Sequence, residues 1–415
     1  MMSPPLVDAT VQVLREALTL SRPADVGLSQ FFRARPKLGG RDRTFIAEAV
    51  FGVLRHLRSL EHLAGGREPR RLLLAWLARH GGHNLREFEP LGDAEELAWL
   101  RGVKATDLTA LPAAVRLDLP DWFYTRLAAL YGDDLAALAA ALNRPAPLDL
   151  RVNTLRAERA AVQARLAADG IRVEPTPWSP WGLRVQGKPA INRHPLFLDG
   201  TIEVQDEGSQ LLALLTGARR GEMVCDFCAG AGGKTLALGA MMKNTGRLYA
   251  FEVSDKRLAR LKPRLARSGL SNVHPVHISG ETDARVKRLS AKFDRVLVDA
   301  PCSGLGTLRR NPDLKWRQTP QTVAELAAKQ AAILAAAAGL VKPGGRLVYA
   351  TCSLLPEENE AIVAAFLDAH PEYRQLPVGP ILASQHIDLA MDEVLRLDPA
   401  RHGTDGFYAA VLERT

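Results

Sequence analysis

Four cysteines occur in the chain, Cys225, Cys228, Cys302 and Cys352, and two of them stand where a thiol can act. Cys302 lies in Asp299-Ala300-Pro301-Cys302-Ser303-Gly304 and Cys352 in Tyr349-Ala350-Thr351-Cys352-Ser353, each just past an apolar run that reads as a buried strand. A lone free cysteine is most often a small buried core residue. Two at the same edge of one sheet are harder to dismiss as core residues. Cys225 and Cys228 form a CxxC, but no second cysteine pair or histidine cluster completes a zinc site. Cys225 also falls inside its strand, which disfavours a redox dithiol.

A second feature is the glycine-rich string Asp226-Phe227-Cys228-Ala229-Gly230-Ala231-Gly232-Gly233-Lys234-Thr235. Placed after a first strand, such a turn lets a ligand approach the backbone and aims helix N-terminal amides at it. It is not a phosphate-binding P-loop, because the required first glycine is Cys228, and it is not a dinucleotide GxGxxG, because the sixth position from Gly230 is Thr235. A different nucleoside-like ligand remains. Glu252, twenty-six residues beyond Asp226, stands where a carboxylate accepts hydrogen bonds from ribose hydroxyls, or serves only as an acid near a helix start.

These residues need a scaffold, and the pattern after Glu222 supplies one. Short apolar runs (MVCDFCA, RLYAFEV, HPVHI, FDRVLVDAP, RLVYATCS) alternate with amphipathic segments such as DKRLARLKPRLARSG. Runs apolar on consecutive residues suit strands buried on both faces of a parallel sheet, and the intervening segments suit crossover helices. We therefore expect a doubly wound, Rossmann-like α/β domain over residues 201–415, with ligands beyond the carboxyl ends of its strands. Residues 1–142 show helical periodicity broken at PKLGGRD, AGGREP and GGHN, and end at the linker-like NRPAPLD. Residues 143–200 alternate strand-like and helical pieces and read as a small α+β module.

Composition narrows the function class. The 47% apolar and 24% charged fractions are those of a globular protein, and no apolar run approaches the ~20 residues that span a bilayer. No secretory leader is evident, so a cytoplasmic location is expected. The formal charge of +8 favours a polyanionic partner. That charge is concentrated: residues 247–317 hold sixteen Lys or Arg against seven Asp or Glu. Within them Arg309, Arg310, Lys315 and Arg317 flank Trp316, an interleaving that suits backbone neutralisation with base stacking and equally a solvated basic loop whose Trp is anchored in a core.

The strings DFCAGAGGKT, DAPCSG and YATCS, with the earlier VQDEGSQLLALL and the late DGFYAAVL, resemble the RsmB/NOL/NSUN family of RNA 5-cytosine methyltransferases over roughly residues 145–415. The string GGRDRTFIAEAVFGVLR resembles the NusB-like RNA-binding domain of the bacterial RsmB branch. The resemblance implies a class I methyltransferase domain with a mostly parallel seven-stranded sheet, S-adenosylmethionine as cofactor, and an RNA substrate, ribosomal RNA first. It implies no metal and a monomer. Carbon 5 of cytosine is a poor nucleophile, so a thiolate must first add to carbon 6. By resemblance that thiolate is Cys352. Cys302 assists release, Asp299 holds the cytosine ring nitrogen and exocyclic amine, and Lys234 positions the base or lowers a thiol pKa. The cofactor would lie along Cys228, Ala229, Gly230, Ala231, Gly232, Gly233 and Lys234, with Glu252 on the ribose, Asp299 nearby, and Asp283 at the adenine, Glu281 being the substitute.

The chain departs from the family pattern in three places. Gly230-Ala231 replaces the Ala-Pro of CAAPGGK, Glu252 stands where Asp is common, and the GDGR motif is split between Gly280-Glu281 and Asp283-Ala284-Arg285. The rival readings are an RNA-binding assembly factor that has kept the fold without catalysis, and the same chemistry on transfer RNA. Retained Cys302, Cys352 and Asp299 speak for catalysis.

Overall fold

The computed structural model describes residues 2–415, which divide into two compact units. The first comprises residues up to Pro145 together with Thr307–Pro320, and the second Ala146–Gly306 with Gln321–Thr415. The chain thus leaves the second unit just after the Cys302 motif, contributes fourteen residues to the first, and returns.

The first unit is helical. Its main helices are Pro4–Ala17, Ala24–Arg33, Gly40–Arg55, Leu57–Ala64, Pro69–Arg79 and Ala94–Ala105, followed by Asp121–Tyr131 and Leu135–Leu142. Their apolar stripes meet in a core that includes Leu14, Ile46, Val50, Leu54, Leu73 and Leu77. The short helix Leu314–Arg317, from the inserted segment, brings Trp316 against this core. Trp316 Nε1 donates to Leu54 O at 2.6 Å, and Lys315 Nζ donates to Arg55 O at 2.7 Å and to Asn143 Oδ1 at 2.8 Å. Leu54 and Arg55 end the helix Gly40–Arg55, so their carbonyls lack partners within it. Lys315 and Trp316 supply the missing donors, and this fixes where the inserted segment sits.

The second unit holds two sheets. In the smaller, β1 (Leu148–Val152), β2 (Val173–Pro175), β3 (Gly182–Val185) and β4 (Ile202–Val204) pair antiparallel in the order β2-β3-β1-β4. The larger contains β5 (Met223–Asp226), β6 (Arg247–Glu252), β7 (Val273–His277), β8 (Phe293–Asp299), β9 (Val341–Thr351), β10 (Tyr373–Leu376) and β12 (Phe407–Arg414), in the order β10-β12-β9-β8-β5-β6-β7. The short β11 (Leu395–Leu397) pairs with β12 off this path, so the expected seven strands carry one addition. The five neighbouring strands β9, β8, β5, β6 and β7 are parallel and β12 runs antiparallel to β9.

Alternate residues along each strand feed two cores, one per face. Val296, Val298, Leu347 and Tyr349 pack on one side with Ile333, Leu334 and Phe366 of the helices Pro320–Ala338 and Glu360–Ala369. Leu297, Val348 and Ala350 pack on the other with Leu211, Leu215, Ala237 and Leu238 of the helices Glu207–Leu215 and Gly233–Met241. Burial on both faces explains why these strands are apolar on consecutive residues. Strand order reverses between β5 and β8, which makes their carboxyl ends the switch point where such sheets bind ligands.

Candidate active site

The loop after β5 turns sharply into the helix Gly233–Met241. Gly230 (φ 57°) and Gly232 (φ 84°) take left-handed conformations, and a Cβ on Gly232 would lie 2.1 Å from Leu261 Cδ1. Ala229 N donates to Phe251 O at 2.9 Å, and Gly230 N to Glu252 Oε2 at 2.8 Å. Arg151 and Arg264 reach the loop through side chains, donating to Gly233 O at 2.6 Å and Ala231 O at 2.7 Å. The loop is therefore held from the backbone of β6 and from two guanidinium groups. Glu252, buried, also accepts from Ser254 N at 2.9 Å, so each of its oxygens holds one backbone bond and retains a lone pair.

Asp226 closes β5. Thr235 Oγ1 donates to its Oδ2 at 2.7 Å, while Oδ1 is buried and has no hydrogen-bond partner among the described residues. Burial pushes this carboxyl up to about 7, against the hydrogen bond from Thr235. Asp299 ends β8, and its Oδ2 receives a 2.6 Å bond from Lys234 Nζ, on the first turn of the helix after the loop. Burial alone would lower the Lys234 ammonium; the charge and hydrogen bond of Asp299, then the charges of Asp226 and Cys352, outweigh it and raise the pKa. Lys234 is a fixed cation here.

The cysteines converge beside this pair of strands. Register places Asp299 opposite Ala350, and Ala300 N donates to Ala350 O at 2.8 Å, the last ladder bond between β8 and β9. Beyond it the Cys302 and Cys352 sulfurs lie 3.3 Å apart, and Cys352 N points at Cys302 Sγ, also at 3.3 Å. Both cysteines are half-buried and free. Two thiolates at this distance repel, so the hydrogen bond to Cys352, with burial and the Cys352 charge, holds Cys302 well above the ordinary thiol range. Cys302 keeps its proton and can offer it to its neighbour.

Glycine makes this approach possible at one further point. Gly306 N donates to Cys352 O and Gly406 N to Gly306 O, both at 2.8 Å. A Cβ on Gly306 would stand 2.3 Å from Gly406 O and 2.8 Å from Cys352 O. The late Asp405-Gly406 pair thus packs against the loop that carries Cys302. Neither glycine's role is visible from spacing.

Two expectations need correction. Asp283 is not available to an adenine: its oxygens accept from Ser279 N and Oγ and from Arg285 N, Nε and Nη2, capping the helix Ala284–Lys287. Arg285 and these backbone bonds hold its carboxyl far below the usual carboxylate range. Glu281 is half-buried and has no hydrogen bond or ion pair among the described residues. The basic run after Cys302 is likewise not an open RNA-facing strip. Lys315 is buried, with burial lowering its ammonium to about 7, and Arg309 is buried as well. Arg317 is half-buried and pairs with Asp313 at 3.3 Å, Arg310 is half-buried, and all four belong to the helical unit. The other expected residues, from Cys228 to Lys234 with Glu252, Asp299, Cys302 and Cys352, gather at the carboxyl ends of β5, β6, β8 and β9. Cys228 is half-buried among apolar side chains and burial raises its thiol.

A sheet of this order, with a glycine-rich turn after β5 and an acid ending β6, is the arrangement of a Rossmann-like methyltransferase. A family model described as 16S rRNA methyltransferase RsmB/F matches residues 213–413, and one described as an RsmF/B-like ferredoxin-like domain matches residues 119–192. A Synechocystis protein named probable ribosomal RNA small subunit methyltransferase B is 32% identical over 439 residues, covering 97% of this chain and 98% of that one. Among solved structures, PH0851 superposes with a TM-score of 0.81 at 26% identity, over 100% of this chain and 99% of that one. A methyltransferase homolog protein from Pyrococcus horikoshii gives 0.63 at 32% identity, over 73% and 97%. The chain belongs to the RsmB/F methyltransferase family.

Proposed function

We propose that this chain methylates carbon 5 of a cytosine in ribosomal RNA, with S-adenosylmethionine as methyl donor and Cys352 as the covalent nucleophile. The observation that carries the reading is the 3.3 Å separation of the Cys302 and Cys352 sulfurs at the switch-point edge, beside the Lys234–Asp299 pair. Relatives named for small-subunit ribosomal RNA support the substrate class.

The loop fits the cofactor by its chemistry: glycines whose φ excludes most side chains, a carboxylate with spare lone pairs at the end of β6, and the orphaned buried oxygen of Asp226. Residues 228–234 would hold it, with Glu252 on the ribose and Glu281, not Asp283, on the adenosine. Bound there, the cofactor supplies an electrophilic methyl group on a sulfonium.

The chain's own residues do the rest. Cys352 sulfur adds to carbon 6, and the electron pair of the C5=C6 bond moves toward the ring carbonyl and N3. Lys234 is the cation that faces this charge, and Asp299, with Oδ2 committed to Lys234, has Oδ1 left for the base's N–H groups. Once Cys352 is a thioether it no longer carries charge, and its share of what holds Cys302 protonated is removed. With the methyl group on carbon 5, Cys302 gives its own proton to solvent and, as a thiolate, takes the proton left on carbon 5. The C5–H electrons restore the double bond as the C6–S bond breaks, returning its electrons to Cys352. Free thiols and the substrate fit a reducing cytoplasm. No helix among the described residues is long and apolar enough to cross a membrane. The chain would act as a monomer, with the helical unit serving as a NusB-like RNA-binding domain.

The test is methyl transfer to unmodified ribosomal RNA by two variants. Cys352→Ala should lose all transfer and form no adduct. Cys302→Ala should accumulate an RNA adduct that survives denaturing electrophoresis, and its absence there would contradict these roles.

A further inference from the structure

Neither cysteine is held by the sheet. The last ladder bond joins Ala300 to Ala350, and Cys302 and Cys352 lie beyond it in irregular backbone. The Gly306 N–H to Cys352 O and Cys352 N–H to Cys302 Sγ bonds join the two loops on one side, and a second, side-chain join lies behind them. Each cysteine is followed by a serine, and both serines donate to one carboxylate. Glu358, fully buried in the short helix Pro356–Glu358, accepts from Ser303 N at 2.8 Å on Oε1, and Ser303 Oγ and Ser353 Oγ both donate to its Oε2. Gln330, also fully buried, donates from Nε2 to the same Oε1 at 2.9 Å and to Pro301 O at 3.0 Å. The backbone around Glu358 is fixed in turn: Tyr349 Oη donates to Glu358 O at 2.6 Å, and Asn359 Nδ2 to Ser353 O at 3.1 Å.

We propose that Glu358 is a positioning residue that clips the Cys302 and Cys352 strand ends together, and so sets the sulfur contact on which release depends. It touches neither the base nor the cofactor. Its carboxylate fills both oxygens with four donors, three of them from the residues that follow the cysteines, so it ties two separate loops at one buried point. A glutamine of the same shape cannot do this. Its amide hydrogens must replace one acceptor oxygen, facing either the Ser303 N–H or the two serine hydroxyls. The proposal rests on the reading that Cys302 takes the carbon 5 proton from the Cys352 adduct.

Two arms test it. In the first, without RNA or cofactor, diamide oxidises the thiol pair: the two S–H hydrogens pass to its N=N bond, giving a hydrazine and a Cys302–Cys352 disulfide, which is counted by peptide mass spectrometry. Glu358→Gln should slow this cross-linking by roughly tenfold or more, because the reaction needs the two sulfurs prepositioned, while its melting temperature shows that it is folded. In the second, Glu358→Gln should accumulate the denaturation-resistant RNA adduct as Cys302→Ala does, with KM for the cofactor within twofold of the parent. Cross-linking at the parental rate in folded Glu358→Gln would overturn the clip. Because that arm uses no substrate, it decides the clip even if no variant forms an adduct, an outcome that would sink the catalytic reading alone. Glu358→Ala, which removes all four contacts, should show the larger cross-linking defect if it folds; a smaller defect than the glutamine variant would also overturn the proposal.

Discussion

Replacing Gly306 by alanine would place a methyl group 2.3 Å from the carbonyl oxygen of Gly406 and 2.8 Å from that of Cys352. Ordinary contact begins near 3.4 Å, so about 1 Å must be found, and both neighbours are backbone atoms with no flexible end to yield. One of them is the carbonyl of Cys352, the proposed nucleophile, which already receives the Gly306 N–H at 2.8 Å. Relief therefore moves Cys352 relative to Cys302 and Asp299. Overpacking of this kind costs about 1–3 kcal/mol of stability. A misplacement of roughly 1 Å at reacting groups costs on the order of a hundredfold in rate, or about 2.7 kcal/mol in the barrier. Gly306→Ala should thus show kcat lowered by about two orders of magnitude, with KM for the cofactor unchanged because the glycine-rich loop lies on other strands. The assay is tritium transfer from labelled cofactor to unmodified ribosomal RNA, alongside thermal melting. A kcat within threefold of the parent would refute the placement of Gly306 under the nucleophile.

Two further outcomes concern titration. Asp226, raised from 3.8 to about 7 chiefly by burial, contributes stability that is full below its unfolded pKa and is lost as pH rises through about 7. Between pH 5.5 and 8.5 the parent should lose roughly 2 kcal/mol of unfolding free energy from this group, a loss absent in Asp226→Asn by urea titration; equal slopes would show that the carboxyl is not shifted. Lys315, lowered from 10.5 to about 7 by burial, contributes in the opposite sense, its share being full above the unfolded value and lost as pH falls through about 7. Lys315→Met leaves Arg55 O unpartnered and should weaken the helix Gly40–Arg55 by about 1–3 kcal/mol at pH 9 and by less at pH 6, read by hydrogen exchange of that helix.

The strands that carry chemistry were readable because burial on both faces forces consecutive apolar residues, and a cysteine that interrupts such a run at its end stands out. The glycine-rich loop was readable for a similar reason: Gly230 and Gly232 occupy backbone space that few other residues can. Lys315 and Trp316 misled because a basic-aromatic interleaving looks alike whether it faces phosphate or caps a helix. Which it does depends on the unpartnered carbonyls of Leu54 and Arg55, some 260 residues earlier. Asp283 misled through its motif position, since only the fold shows Arg285 turning back on it. Glu358 gave almost no signal, because an acid in PEEN reads as exposed until Ser303 and Ser353 are seen to meet. The one trace was the repeated Cys-Ser pair.

The central claim is that the Cys352 sulfur, and not that of Cys302, bonds to the pyrimidine. A substrate RNA carrying 5-fluorocytosine at the target position tests it most directly, because fluorine cannot leave as a proton does and the adduct is trapped. Digestion and mass spectrometry should find the nucleotide on the peptide containing Cys352, dependent on added S-adenosylmethionine for the methylated form. A nucleotide attached to Cys302, or a methylated product released without any trapped protein, would contradict the account.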